Sequence, residues 1–128
     1  MATTDLHLTD NPAVKGREDR YTLVRIDTAK TLKSWKTSLF SFEWLNPDGS
    51  IRKTDDLPMQ ERQKRLDAEK ALKGGQPLER PVLGIGIMDN IEIGAGRATF
   101  LTLAAAGQKS IEVHIPSSNI RDFSSFLG

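Results

Sequence analysis

The residues best suited to chemistry stand together at Gly94-Ala95-Gly96-Arg97-Ala98-Thr99, directly after the apolar segment Ile91-Glu92-Ile93. A strand that passes through a glycine turn into a helix presents unpaired backbone N–H groups, and the positive end of the helix dipole, at the first helical turn. Gly94 and Gly96 let an anion approach that backbone closely, and Ala95 adds a donor between them. Arg97 brings a charged planar fork to the same place, and the Thr99 hydroxyl is a further hydrogen-bond donor. This arrangement suits the holding of a phosphate. Two other readings use the same residues. Gly94-Ala95-Gly96 resembles the start of G-x-G-x-x-G with Thr99 at the third position, but a dinucleotide-binding fold opens on that motif, whereas here it comes late in the chain. Glycines at a tight strand-to-helix junction also serve packing alone.

The remaining candidates are weaker. The chain has no cysteine, which removes thiol catalysis, disulfides and thiolate metal sites. Its two histidines, His7 and His114, are not paired for a metal, so no metal site is expected. Asp27 and Asp55-Asp56 have the chemistry of a general base or of magnesium ligands beside a phosphate, although helix capping explains Asp55-Asp56 more simply. Ser117-Ser118 and Ser124-Ser125 have no partnered His-Asp set for nucleophilic catalysis. Arg62, Lys64 and Arg65, with Arg52 and Lys53 upstream, form a basic cluster that Glu61, Asp67 and Glu69 dilute; it reads as a solvated helix face. A net charge of +1 argues against wholesale polyanion binding, so any nucleic-acid contact has to come from a local site. No signal segment opens the chain, and the run Leu101 to Ala106 is too short to cross a bilayer. A cytoplasmic protein with no membrane insertion is expected.

The elements that must position the glycine turn follow from pattern. Residues 1–20 are polar and read as a mobile arm. Tyr21 to Ile26 alternates as a strand that ends at Asp27. Thr37 to Leu45, with Leu39, Phe40, Phe42, Trp44 and Leu45, reads as a second strand, turned at Asn46-Pro47-Asp48-Gly49 and returning over Ser50 to Thr54. Trp35, Phe40, Phe42 and Trp44 are expected partly in the core; an aromatic hairpin with any exposed tryptophan would mark a protein-binding surface. Asp55-Asp56-Leu57-Pro58 opens a surface helix that ends at Gly74-Gly75, with Glu61 facing Arg65 and Glu69 facing Lys73. Pro81 to Ile87 is β-like, Met88-Asp89-Asn90 turns the chain into Ile91-Glu92-Ile93, and a helix runs from about Arg97 to Ala106 and stops at Gly107. Ser110 to Ile115 is the last strand. The tail docks through Ile120, Phe123 and Phe126.

From Pro81 to Ile115 this order resembles the core of the ParB/sulfiredoxin superfamily. Members carry a strand of the type Y-E-L, then A-G-E-R-R, an alanine-rich helix, A-G, and a strand of the type I-P-V. Ile91-Glu92-Ile93, Ala95-Gly96, Ala104-Ala105-Ala106-Gly107 and Ile111-Glu112-Val113 fall on those positions. Arg97-Ala98-Thr99 stands where the family has Glu-Arg-Arg, or Cys-His-Arg in sulfiredoxins. The resemblance implies contact between the glycine turn and a nucleotide's phosphates. A stand-alone core of this kind resembles the small plasmid-encoded fertility-inhibition proteins, which share the fold and interfere with DNA transfer.

The expectation is therefore a single α+β domain over residues 21–128, a small mixed β-sheet with flanking helices and a ParB/sulfiredoxin-like core. Its function is to bind a nucleotide or a nucleic-acid phosphate through Gly94, Ala95, Gly96, Arg97 and Thr99, with ATP or another nucleotide and Mg2+ as the ligand. Binding is favoured over catalysis; an enzymatic version would be a nucleotide phosphohydrolase or a nuclease. The alternative is a catalytically inactive protein-interaction module, of inhibitor or immunity type, that keeps the fold and binds a protein partner.

Overall fold

In a computed structural model, which describes residues 7–128, the chain runs β1 (Leu8–Thr9), β2 (Tyr21–Asp27), α1 (Thr28–Trp35), α2 (Met59–Lys73), β3 (Leu78–Glu79), β4 (Leu83–Ile85), β5 (Ile91–Ile93), α3 (Arg97–Ala105) and β6 (Ser110–Pro116). Short 3-10 turns lie between them. The class is α+β.

β2 and β6 pair antiparallel along their whole length, from Tyr21 opposite Pro116 to Asp27 opposite Ser110. Alternation puts Ile26, Ile111, Val113 and Ile115 on the buried face. β4 and β5 form a hairpin, Leu83 opposite Ile93, closed by a turn in which the Gly86 N–H donates to the Asn90 carbonyl at 2.7 Å. One parallel bridge, Val82 to His114, stitches this hairpin to β6. The two small sheets, α1 and α3 enclose a core that includes Trp35, Trp44, Phe100, Leu101, Leu103 and Phe123.

Asp27 ends β2 as expected, and it also starts a helix that the pattern reading leaves out. Its carboxylate accepts the Lys30 N–H at 2.9 Å and caps α1. Thr28, Thr31 and Trp35 then fall on one buried face. α2 begins after Pro58 and stops at Gly74, but its ion pairs are not the expected Glu61–Arg65 and Glu69–Lys73: Lys64 meets Glu61 and Arg65 meets Glu69, each at 3.7 Å. Arg65 is buried, and its Nη1 donates to the Arg52 carbonyl at 3.4 Å, so it braces the loop before α2 and is not part of a solvated face. α3 buries Thr99 to Leu103, and Gly107 takes a φ of 92° just past the helix end.

Residues 37–45 are not a strand. They form consecutive turns held by bonds such as Trp44 N–H to the Ser41 carbonyl at 2.9 Å. The hairpin expected around Asn46 to Gly49 shrinks to one bridge, Leu45 to Ile51. Only Trp44 and Leu45 of the apolar run reach the core; Leu39, Phe40 and Phe42 stay exposed. In the tail, Phe123 is fully buried and Phe126 packs against the core, while Ile120 stays in solvent.

The boundary drawn at residue 20 also moves. Residues 1–6 lie outside the described residues, but residues 8–14 are seated on the domain: β1 pairs parallel with β3, and Asn11 and Val14 are buried. Backbone pairing and the polar side chain of Asn11, together with buried Val14, hold this segment. No helix among the described residues is long and apolar enough to cross a membrane.

Candidate functional site

The glycine turn is pinned from behind before it offers anything in front. The Gly94 N–H donates to the Val82 carbonyl and the Val82 N–H to the Ala95 carbonyl, each at 2.9 Å. Gly96 caps α3 in the left-handed region, with a φ of 76°. A Cβ there would lie 2.8 Å from the Pro81 Cα and 3.2 Å from the Asn11 Nδ2. Backbone conformation and close approach therefore both require glycine at position 96, whether or not a ligand binds.

In front of the turn the donors are open. No side chain caps α3, and among the described residues the N–H groups of Ala95, Gly96, Arg97, Ala98 and Thr99 have no acceptor. The same residues line a cleft of about 780 Å³. One wall is the run Gly94 to Thr99; the other is α2, through Glu61, Lys64, Asp67, Ala68 and Ala71, with Thr9, Trp44 and the segment Pro77 to Glu79 completing the lining. The turn thus puts all five expected phosphate-binding residues, Gly94, Ala95, Gly96, Arg97 and Thr99, on a single cavity.

Arg97 is half-committed. Its Nε donates to the Ile93 carbonyl at 3.0 Å, and its guanidinium lies 5.6 Å from the Trp35 ring and 5.9 Å from the Phe40 ring. Cation–π contact fixes the fork in place. The Nη groups have no hydrogen bond and no carboxylate partner among the described residues. Thr99 is only 7% exposed, yet its hydroxyl has no partner among them either.

The lining is mixed in charge. Lys64 and Arg97 stand against Glu61, Asp67 and Glu79. A bare polyphosphate at the α3 end would be repelled by the carboxylates of α2 and β3. Magnesium, which takes one or two carboxylates together with phosphate oxygens, would remove that repulsion. Among the described residues no three His, Cys, Asp or Glu side chains converge as a ready-made metal cage, so any such ion would have to arrive with the ligand.

Asp27, Asp55 and Asp56 do not reach the cleft: Asp27 caps α1, and Asp55 and Asp56 sit in the turn before α2. Lys64, Thr9 and Trp44 line it without having been singled out for that role. Small residues at Ala68 and Ala71 were the available signal for α2, since they let it lie close to α3. Thr9 carried none, because its neighbours in the fold are distant in sequence.

His114 lies away from the cleft, buried on the outer face of the β2–β6 pair. Burial pushes its imidazole below the ordinary histidine range; Asp10 works against that shift, Arg80 with it, and Glu112 against it.

No family model, curated protein or solved structure matches this chain.

Proposed function

We propose that the cleft binds the phosphate of a nucleotide, or of a nucleic acid, at the N-terminus of α3. The observation that carries this reading is that the run Gly94 to Thr99, with its open first-turn N–H groups and an Arg97 guanidinium that has no carboxylate partner among the described residues, lines one cavity. The ligand is an ATP-like nucleotide accompanied by Mg2+, with Glu61, Asp67 or Glu79 near the metal side. Binding is favoured over bond cleavage, since Arg97-Ala98-Thr99 stands where the resembled family has Glu-Arg-Arg. A ParB/sulfiredoxin-like core and a role in plasmid or DNA-transfer processes belong to the same proposal and rest on the resemblance of residues 81–115.

The test is thermal shift and calorimetry with ATP, ADP, CTP and a short single-stranded DNA, each with and without Mg2+, on the wild type and Arg97→Ala. A ligand bound only by the folded state raises its melting temperature. The proposal expects a shift for one ligand that the variant loses. No shift with any of them removes the proposal.

A specific observation favours a second reading, a protein-interaction module. Leu39, Phe42 and Phe40 are 85%, 66% and 58% exposed, and Ile87 and Met88 at the neighbouring hairpin tip are 100% and 76% exposed. The Ser38 hydroxyl donates to Glu92 at 2.6 Å and ties the aromatic loop to β5 of that hairpin. On this reading Leu39→Ser with Phe42→Ser removes partner binding and spares nucleotide binding, and Arg97→Ala does the reverse.

A further inference from the structure

Residues 8–14 cover His114, and polar bonds fasten the cover. The Leu78 N–H donates to the His7 carbonyl and the Arg80 N–H to the Thr9 carbonyl, each at 2.8 Å. Asn11 then makes the central attachment: its N–H donates to His114 Nε2 at 3.2 Å, its Nδ2 to the Arg80 carbonyl at 2.9 Å, and its Oδ1 accepts the Ala13 N–H at 2.9 Å. Arg80 bridges Asp10 at 2.8 Å and Glu112 at 2.7 Å. This segment is also part of the cleft. Thr9 lines it, and the Asn11 side chain lies beneath Gly96.

The bond from Asn11 to His114 has a chemical condition. Nε2 accepts a hydrogen bond only while it carries no proton; an imidazolium has two donors and no acceptor. Protonation would set N–H against N–H and leave the buried Asn11 donor without an acceptor.

We propose that residues 8–14 form a strap which protonation of His114 releases, opening the Thr9 wall of the cleft and loosening the support under Gly96. The effect on ligand binding rests on the phosphate-site reading; release of the strap does not. The groups that face the imidazole are Asp10 from the strap, at 3.8 Å, Arg80 from the segment after β3, Glu112 from β6 itself, and the Tyr21 ring from β2, edge-on at 6.5 Å. Asp10 and Glu112 favour the imidazolium, and Arg80 and burial oppose it. Burial is the largest of these influences, so release belongs below the ordinary histidine range, under about pH 6.5.

The test is amide hydrogen exchange on the full chain at about pH 7.5 and about pH 5, normalised for the chemical exchange rate. At the lower pH the amides of Asn11, Leu78 and Arg80 lose protection about tenfold, while those of Ile111 and Val113 in the β2–β6 pair keep theirs. His114→Gln, whose side-chain oxygen accepts at every pH, holds the strap at both. If that variant does not fold, Asp10→Asn removes a carboxylate that favours the imidazolium and moves release to lower pH. Equal strap protection at both pH values, or a midpoint that Asp10→Asn leaves in place, overturns the proposal. MgATP titrated under the same conditions separates the two claims. Affinity that falls at the lower pH in the wild type but not in His114→Gln ties the strap to the cleft, and equal affinity at both pH values breaks that tie. MgATP that binds at neither pH refutes the cleft reading and its regulation together, while exchange still decides on the strap.

Discussion

On the strap side of the turn, Asn11 commits its N–H to His114, its Nδ2 to Arg80 and its Oδ1 to Ala13. On the cleft side, the N–H groups of Ala95 to Thr99, the Thr99 hydroxyl and the Arg97 Nη groups commit nothing within the described residues. The two surfaces meet at Gly96, within reach of Pro81 and Asn11. A buried polar group left unpaired costs about 1–3 kcal/mol, so the strap side is a place where bonds must be made for the fold to stand. Donors that open on a cleft keep their water partners until something replaces them. The difference separates polar groups bonded within the fold from polar groups that have no partner among the described residues.

Substitutions on the two sides sharpen or break this comparison. The largest effect is expected at the shared point. Gly96→Ala forces a side chain into a left-handed conformation and against the Pro81 backbone, which should lower stability by about 2–4 kcal/mol in denaturant unfolding. An unchanged midpoint would mean that the turn is not constrained as described. Next, His114→Phe deprives the buried Asn11 N–H of its acceptor and is expected to cost about 1–3 kcal/mol at neutral pH. Arg97→Gln, on the cleft side, gives up cation–π contact and is expected to cost about 1 kcal/mol or less, while MgATP binding is lost. If Arg97→Gln proved the more destabilising of the two, the assignment of roles to the two sides would be reversed.

The pH dependence follows from the direction of the His114 shift. Because the folded-state value is lowered, the unfolded chain takes up the proton first as pH falls. The contribution of His114 to stability is therefore complete above about pH 6.5 and declines as pH falls from there toward the lower folded-state value. Unfolding curves at several pH values should show this decline in the wild type, and His114→Gln should lack that component. The smallest effect is expected for Phe42→Ser, within about 0.5 kcal/mol, because the ring is mostly in solvent. A larger loss would show that the aromatic loop supports the fold and is not spare surface.

Local pattern made much of this fold readable. Alternation in Tyr21 to Ile26, the turn at Met88-Asp89-Asn90, the glycine turn and Gly107 place β2, β5, α3 and β6 correctly, because in each the sequence and the packing ask for the same thing. The run from Leu39 to Leu45 misled, since its aromatic alternation suits a strand while only Trp44 and Leu45 are buried. α1 was legible in principle: Asp27 has the type and place of an N-cap, and Thr28, Thr31 and Trp35 keep helical spacing. The strap was not. Its attachments join Asn11 to His114 and to Arg80 across 103 and 69 residues, and a single hydrogen bond between distant polar residues leaves no periodic trace. The site divides in the same way. The five residues of the turn could be read from their own segment, whereas Lys64, Thr9 and the carboxylates opposite reach the cleft only through tertiary packing.

The most direct test of the phosphate-site claim is a titration of the isotope-labelled full chain with MgATP, following the backbone amide resonances of Ala95 to Thr99 by NMR. The account expects those amides to move together and saturate in the wild type, with Ile93 and Val113 unmoved, and expects Arg97→Gln to abolish the response. Amides of the turn that stay fixed at saturating MgATP would contradict it, and would leave Gly96 with an architectural role only.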